Sequence, residues 1–259
     1  MLLAVNINNT ETKIGLFRGE TLESHWRLTT AGRTPDEWAA AITASLSQSG
    51  RSTSEVRAAI LASVVPPVTQ AVGEAVAAAT GKQPVVVDGR ARLPITLDVD
   101  EPLTVGADRI LNTLAASKLF HRDTIVVDFG TATTFDCITA DGRFIGGVIM
   151  PGVRTASDAL ISRTAKLPAT ELTPPERVIG RRTEDCIRAG VLWGAADAVD
   201  GLVRRIVAEW PAKKTCPYVI ATGGLAALVV PLTTEIESVY PDLTITGLQI
   251  AAGALDLSW

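Results

Sequence analysis

The feature that most constrains this 259-residue chain is an internal echo. Val5-Asn6-Ile7-Asn8-Asn9-Thr10-Glu11-Thr12 lies over Val127-Asp128-Phe129-Gly130-Thr131-Ala132-Thr133-Thr134 without a gap. Each copy reads as an apolar strand, a carboxylate or amide at its end, a small turn, and hydroxyls on the returning strand. A repeat decides architecture before any single motif does. A tight turn between strands offers backbone N–H groups and Thr hydroxyls to an anion, and an acid at the strand end can hold a metal. One D-x-G-T turn is also common in ordinary hairpins, where Asp and Gly only satisfy turn geometry. Two of them facing each other would bracket a triphosphate. No GxxxxGK[ST] or GxGxxG stands between a strand and a helix, so a cleft between duplicated lobes is the nucleotide-holding arrangement left.

The rest of the chain fits two halves. Strands are expected at 1–7, 12–18 and 23–29, then a helix announced by Thr34-Pro35-Asp36-Glu37, a capping box with Pro in the first turn. A strand at 57–63, a helix after Pro66-Pro67, a short strand Pro84-Val85-Val86-Val87 and a helix near 105–120 complete the first half. Strands at 123–129, 132–139 and 143–149 lead into helices in the second, with a strand at Tyr218-Val219-Ile220-Ala221 and a closing helix from about 248. This grammar predicts an α/β chain with a mixed sheet flanked by helices in each lobe, residues 1–118 and 119–259.

Composition narrows the function classes. Apolar residues at 47% and charged residues at 20% suit a folded globular protein. A net charge of −4 leaves no basic stripe for a nucleic-acid backbone, so no nucleic-acid partner is expected. Met1-Leu2-Leu3-Ala4-Val5 lacks the basic start of a signal peptide and reads as a strand. No segment reaches the roughly 18 to 20 apolar residues of a membrane helix, so the expectation is a cytoplasmic protein with no membrane partner. Cys137, Cys186 and Cys216 are widely separated and lack CxxC spacing, which argues for buried thiols rather than disulfides or zinc. His25 and His121 have no partner pattern and read as surface or structural.

Five strings now carry a resemblance in order along nearly the whole chain: Asn6-Ile7-Asn8-Asn9-Thr10, Val105-Gly106-Ala107-Asp108-Arg109, Asp128 to Thr134, Gly146 to Gly152, and Thr222-Gly223-Gly224-Leu225. They resemble, respectively, the first phosphate motif, the GADR substrate motif, the second phosphate motif and two later segments of the type III pantothenate kinases. The resemblance implies duplicated actin-like (ribonuclease H-like) lobes, a homodimer, and ATP-dependent phosphorylation of pantothenate, the first step of coenzyme A biosynthesis. It implies Mg2+ and a monovalent cation, K+ or NH4+. Carried over by position, Asp108 is the general base, and Gly106, Ala107, Asp108 and Arg109 line the pantothenate site with Thr183. Asp128 sits at the potassium site. Thr131 and the stretch Asn6, Ile7, Asn8, Asn9, Thr10, Glu11, Thr12 and Lys13 hold ATP. On their own, Asp108 and Arg109 would equally suit a helix N-terminus and a solvated ion pair.

The departures are as informative. The family carries Asp where this chain has Asn6, and usually Gly where it has Asn8. Asn6 keeps an acceptor oxygen but lacks the charge that balances magnesium. Asn8 would serve if the turn requires a left-handed residue, since Asn enters that region readily. Val99 stands where an aromatic substrate contact is often found. A catalytically impaired paralogue with a ligand-binding or regulatory role, and a kinase for another small alcohol, are therefore alternatives.

Overall fold

The computed structural model describes residues 1–211 and 216–259. The chain opens with β1 (Leu2–Ile7), β2 (Glu11–Arg18) and β3 (Thr21–Thr29), and continues through α1 (Pro35–Gln48), β4 (Ala58–Ser63), α2 (Pro66–Thr80), β5 (Val85–Val87) and β6 (Thr96–Leu97) to α3 (Ala107–Phe120). Five of these strands form a sheet in the order β3-β2-β1-β4-β5. The hairpins are antiparallel, and β1, β4 and β5 run parallel. All of β1 is buried, as a central strand covered on both faces requires, which is why its sequence is a continuous apolar run rather than an alternation. Leu3, Val5 and Ile7 join Ile14, Leu16, Trp38 and Val72 on one face. Leu2, Ala4 and Phe17 face Ala107, Leu111 and Leu114 of α3 on the other.

The capping box at α1 is formed as its sequence predicts. The Thr34 hydroxyl accepts from the Glu37 N–H, and the Glu37 carboxylate accepts from the Thr34 N–H at 2.7 Å.

The second half repeats the plan with β7 (Thr124–Phe129), β8 (Ala132–Ile138), β9 (Arg143–Pro151), α4 (Val153–Ser162), α5 (Thr183–Glu209), β10 (Tyr218–Thr222), α6 (Ala226–Val229) and β11 (Ser238–Val239). Its strands lie in the order β9-β8-β7-β10-β11, the order of the first sheet. β6 is added where Thr96 and Leu97 pair with Arg143 and Phe144. The duplication is thus a repeat of topology, with β7 buried at the centre as β1 is. The last helix is α7 (Leu243–Ala254).

The chain divides into two compact units. One holds Met1–Leu119, Gly142–Phe144 and Leu243–Trp259, and the other holds Phe120–Asp141 and Ile145–Asp242. A single cut after residue 118 therefore misplaces the C-terminal helix. Ile245, Leu248, Ala251 and Ala252 of α7 are buried with Ala4, Ala62 and Leu111. The helix also begins five residues before the expected start, because Leu243 and Ile245 are already buried there and the Thr244 hydroxyl donates to Asn112 Oδ1 on α3 at 2.8 Å. The thiols differ from expectation too: Cys137 is buried, but Cys186 and Cys216 are exposed, one in the first turn of α5 and one just before β10. No helix among the described residues is long and apolar enough to cross a membrane.

Two glycines on α7 separate packing from propensity. A Cβ on Gly247 would run into the Leu111 carbonyl, whose carbon lies 2.9 Å away, whereas one on Gly253 meets nothing within 4 Å. Gly247→Ala is expected to lower stability by about 1–3 kcal/mol through backbone displacement. Gly253→Ala is expected to raise it by about 0.4–1 kcal/mol. Urea unfolding followed by circular dichroism checks both.

Candidate active site

In the first unit the polar positions begin where β1 ends. Asn6 is only 4% exposed and lies on the α3 face of the sheet, directly across from Lys13 on β2 and Ala62 on β4. Residues opposed in an antiparallel pair share a face, with Cβ atoms about 5 Å apart. The residue facing Asn6 is thus a cation, not a second carboxylate. Beyond it, the Asn8 N–H donates to the Glu11 carbonyl at 3.1 Å, and the Asn8 carbonyl accepts from the Thr30 hydroxyl at 2.7 Å. Asn8 has no positive φ, so left-handed freedom is not why it is there. Its side-chain Oδ1 is buried and has no hydrogen-bond partner.

The remaining first-hairpin residues divide by exposure. Asn9, Thr10 and Glu11 are exposed, and Glu11 pairs with Arg27 at 3.5 Å. Ile7 is fully buried, so only its backbone can meet a ligand. Thr12 is also fully buried, its hydroxyl bonded to that of Thr30 at 2.9 Å. These two side chains serve the interior instead of an ATP site.

The two hairpins differ by one residue in the return. Asn6 faces Lys13, whereas Asp128 faces Thr134, so the ungapped overlay of Thr12 on Thr134 slips at the turn. Structurally, buried Thr12 corresponds to buried Thr133, and Lys13 corresponds to Thr134.

The GADR segment lies at the same end of the first sheet. Val64, just past β4, donates its N–H to the Ile7 carbonyl at 3.0 Å, and its side chain lies 3.6 Å from where a Gly106 Cβ would stand. Parallel strands bind ligands beyond their carboxyl ends, which is where this loop runs. Gly106 is small because Asp108 Oδ1 would stand 2.6 Å from its Cβ. The Asp108 carboxylate also accepts from the Arg109 N–H at 2.8 Å. Burial pushes this carboxyl above the usual aspartate range, opposed by the Arg109 N–H, the Arg109 guanidinium and its own N–H. Ala107 is buried in the core, while Arg109 lies over the Phe144 ring at 5.0 Å. Val99 is half-buried, and its neighbour Asp98 donates its N–H to the Phe144 carbonyl, so Phe144 ties this segment to Arg109.

In the second unit Asp128 is the penultimate residue of β7 and Thr131 is exposed at the turn. The Thr131 carbonyl accepts from the Gly152 N–H at 3.1 Å and from the Thr155 hydroxyl at 2.6 Å. Gly223, at φ +94°, lies against the same strand end, since a Cβ there would come within 2.5 Å of Asp128 Oδ1. Gly152 and Gly223 hold the second hairpin's shape; their signal in the sequence was the glycine in each later motif. Thr183, exposed, is the first residue of α5.

No group of three or more His, Cys, Asp or Glu that could hold a metal occurs among the described residues. What the chain offers instead is isolated oxygens at strand ends. That set suits magnesium, which keeps several waters and takes other oxygens from substrate phosphates.

A family profile described as type III pantothenate kinase matches residues 2–205. A type III pantothenate kinase of Moorella thermoacetica is 41% identical over 251 residues, covering 96% of this chain and 98% of that relative. One from Thermomicrobium roseum is 42% identical over 252 residues, covering 97% and 96%. Among solved structures, a conserved putative Baf family transcriptional activator from Campylobacter jejuni gives a TM-score of 0.61 at 16% identity, covering 97% of each chain. An activator of 2-hydroxyisocaproyl-CoA dehydratase from Clostridium difficile, solved with bound ADPNP, gives 0.59 at 13%, covering 98% and 94%. At these identities the structural matches establish the actin-like fold alone.

The half-buried Asp108 has a measurable signature. A raised folded pKa means that the native state holds the proton more tightly than the unfolded chain. Its contribution to stability is complete below the unfolded pKa and is lost as pH rises through the folded value. Asp108→Asn is therefore expected to gain stability relative to the native chain between pH 4 and pH 8, read as melting temperatures across that range.

Proposed function

The chain belongs to the type III pantothenate kinase family, and on that premise we propose that it transfers the γ-phosphoryl group of ATP to the primary hydroxyl of pantothenate. The observation that carries the reading is Asp108, a carboxylate poised by burial over a glycine that leaves it room. A base whose pKa is raised above the ordinary carboxylate range takes up a proton more readily. Asp108 takes the hydroxyl proton as the oxygen attacks the γ-phosphorus. The bond to the β–γ bridging oxygen breaks, and ADP and 4'-phosphopantothenate result. Arg109, fixed over Phe144, offers a forked donor to the pantothenate carboxylate. Val99, Gly106 and the Thr183 hydroxyl are the further contacts assigned to pantothenate.

Phosphoryl transfer is mostly positioning and charge stabilisation. Lys13 and the backbone from Asn6 through Thr12 hold phosphates in the first unit, and the Thr131 turn does so in the second. Magnesium supplies charge neutralisation at the phosphates. Asp128 is the proposed seat of a monovalent cation, K+ or NH4+. The protein acts in the cytoplasm as a homodimer, supported by apolar surface on the second unit: Ile149, Val178 and Ile179 are 64%, 65% and 85% exposed. A paralogue without catalysis is disfavoured because the relatives are named type III pantothenate kinases and the chain keeps Asp108 with Gly106 before it.

ADP release with Mg2+, K+, ATP and pantothenate tests the reading. The native chain should turn over, Asp108→Asn should lose about 10²–10⁴-fold in kcat, and Asn6→Asp should gain roughly tenfold by restoring a charged contact. The acid limb of kcat/KM should fall at a pH above that of an ordinary carboxylate. Gly106→Ala should stay folded but lose activity, since only the Asp108 carboxylate has to move. Silence in both the native chain and Asn6→Asp would overturn the proposal.

A further inference from the structure

The turn after β1 contains one polar group that the fold does not use. Both backbone groups of Asn8 are bonded inside the turn, and its φ is one that other residues adopt freely. Neither backbone capping nor left-handed geometry therefore explains an asparagine here. Its Oδ1 is nonetheless buried without a partner. Leaving a buried acceptor without a donor is costly, so the position is unfavourable until a donor arrives.

The chemistry of the donor follows from what this end of the sheet receives. Oδ1 can only accept, and a phosphate that is fully ionised can only accept as well, so the two cannot satisfy each other. At the phosphates of a nucleotide triphosphate, the donors are the waters on its magnesium, made acidic by the metal. Asn6, two residues earlier and 4% exposed, carries a second amide at the same strand end. Magnesium keeps several of its waters when bound, so hydrogen bonds to its water shell are a route by which these amides can meet it.

We propose that Asn8 Oδ1 is an outer-sphere seat for magnesium, accepting a hydrogen bond from a metal-bound water of the magnesium–nucleotide complex. Asn8 is thereby a metal-positioning residue of the first hairpin. The inference rests on the kinase reading, and it specifies how an amide does part of a carboxylate's task.

The test is calorimetric binding of a non-hydrolysable ATP analogue to the full chain, once with Mg2+ and once with EDTA, comparing the native protein, Asn8→Gly and Asn8→Asp. Asn8→Gly should weaken binding about tenfold with Mg2+ and leave metal-free binding unchanged, as expected for one hydrogen bond to a charged complex. Asn8→Asp should bind the magnesium complex at least as tightly as the native chain. Melting temperatures without ligand establish that each variant folds. Equal weakening with and without Mg2+ would overturn the inference in favour of a contact to the nucleotide itself or a change of turn shape. Unchanged binding by Asn8→Gly would overturn it as well. Absence of any nucleotide binding by the native chain would remove the kinase reading together with this inference, whereas native binding that Asn8→Gly does not alter removes this inference alone.

Discussion

The two-sided burial of β1 governs the first unit. A strand with helices on both faces can carry polar chemistry only where it ends, because an unpaired polar side chain in its middle would cost more than its neighbours could return. Leu2 to Val5 therefore belong to the two cores, and the chemistry begins at Asn6. The same rule acts on β7, which is apolar from Ile125 to Val127 and then presents Asp128. Both hairpins place their functional groups at the carboxyl end of a central strand, and in the first unit the GADR loop runs past that end as well.

Two different means put charge at these strand ends. In the first unit Asn6 faces Lys13 across the hairpin, so the pair is cationic. In the second, Asp128 faces Thr134, and the pair carries a negative charge. Duplication supplied one backbone plan, and divergence at two pairs of positions gave the copies opposite electrostatic character. The half-buried Asp108 is a third case. Its charge is disfavoured where it stands, and the Arg109 N–H and guanidinium only partly offset this. Stability is given up there for a carboxylate that binds its proton more readily.

Much of this was legible in the sequence. Continuous apolar runs ending in a polar residue marked β1 and β7, and the Thr34–Glu37 box marked a helix start that the structure reproduces. The GADR string located Asp108, but only the fold shows why a glycine precedes it. Other features were illegible for identifiable reasons. A one-residue difference between turns alters strand register without altering the motif, so the partners of Asn6 and Asp128 could not be read from the overlay. The burial of Thr12 depends on Thr30, 18 residues away, and no local pattern reports it. The docking of α7 depends on Leu111 and Asn112, separated from it by more than a hundred positions.

That docking gives the molecule an order of assembly. The first unit is interrupted: its sheet and α3 are made early, and the helix that covers their exposed apolar face comes from the last residues of the chain. During synthesis the second unit, contiguous except for Gly142–Phe144, has all its strands before the first unit has its lid. Ala4, Ala62, Leu111 and Leu114 thus lack their α7 neighbours until Ile245, Leu248 and Ala252 have been made. A chain shortened by a dozen residues would keep every motif named above and still be unable to close the core on which Asn6 and Asp108 stand.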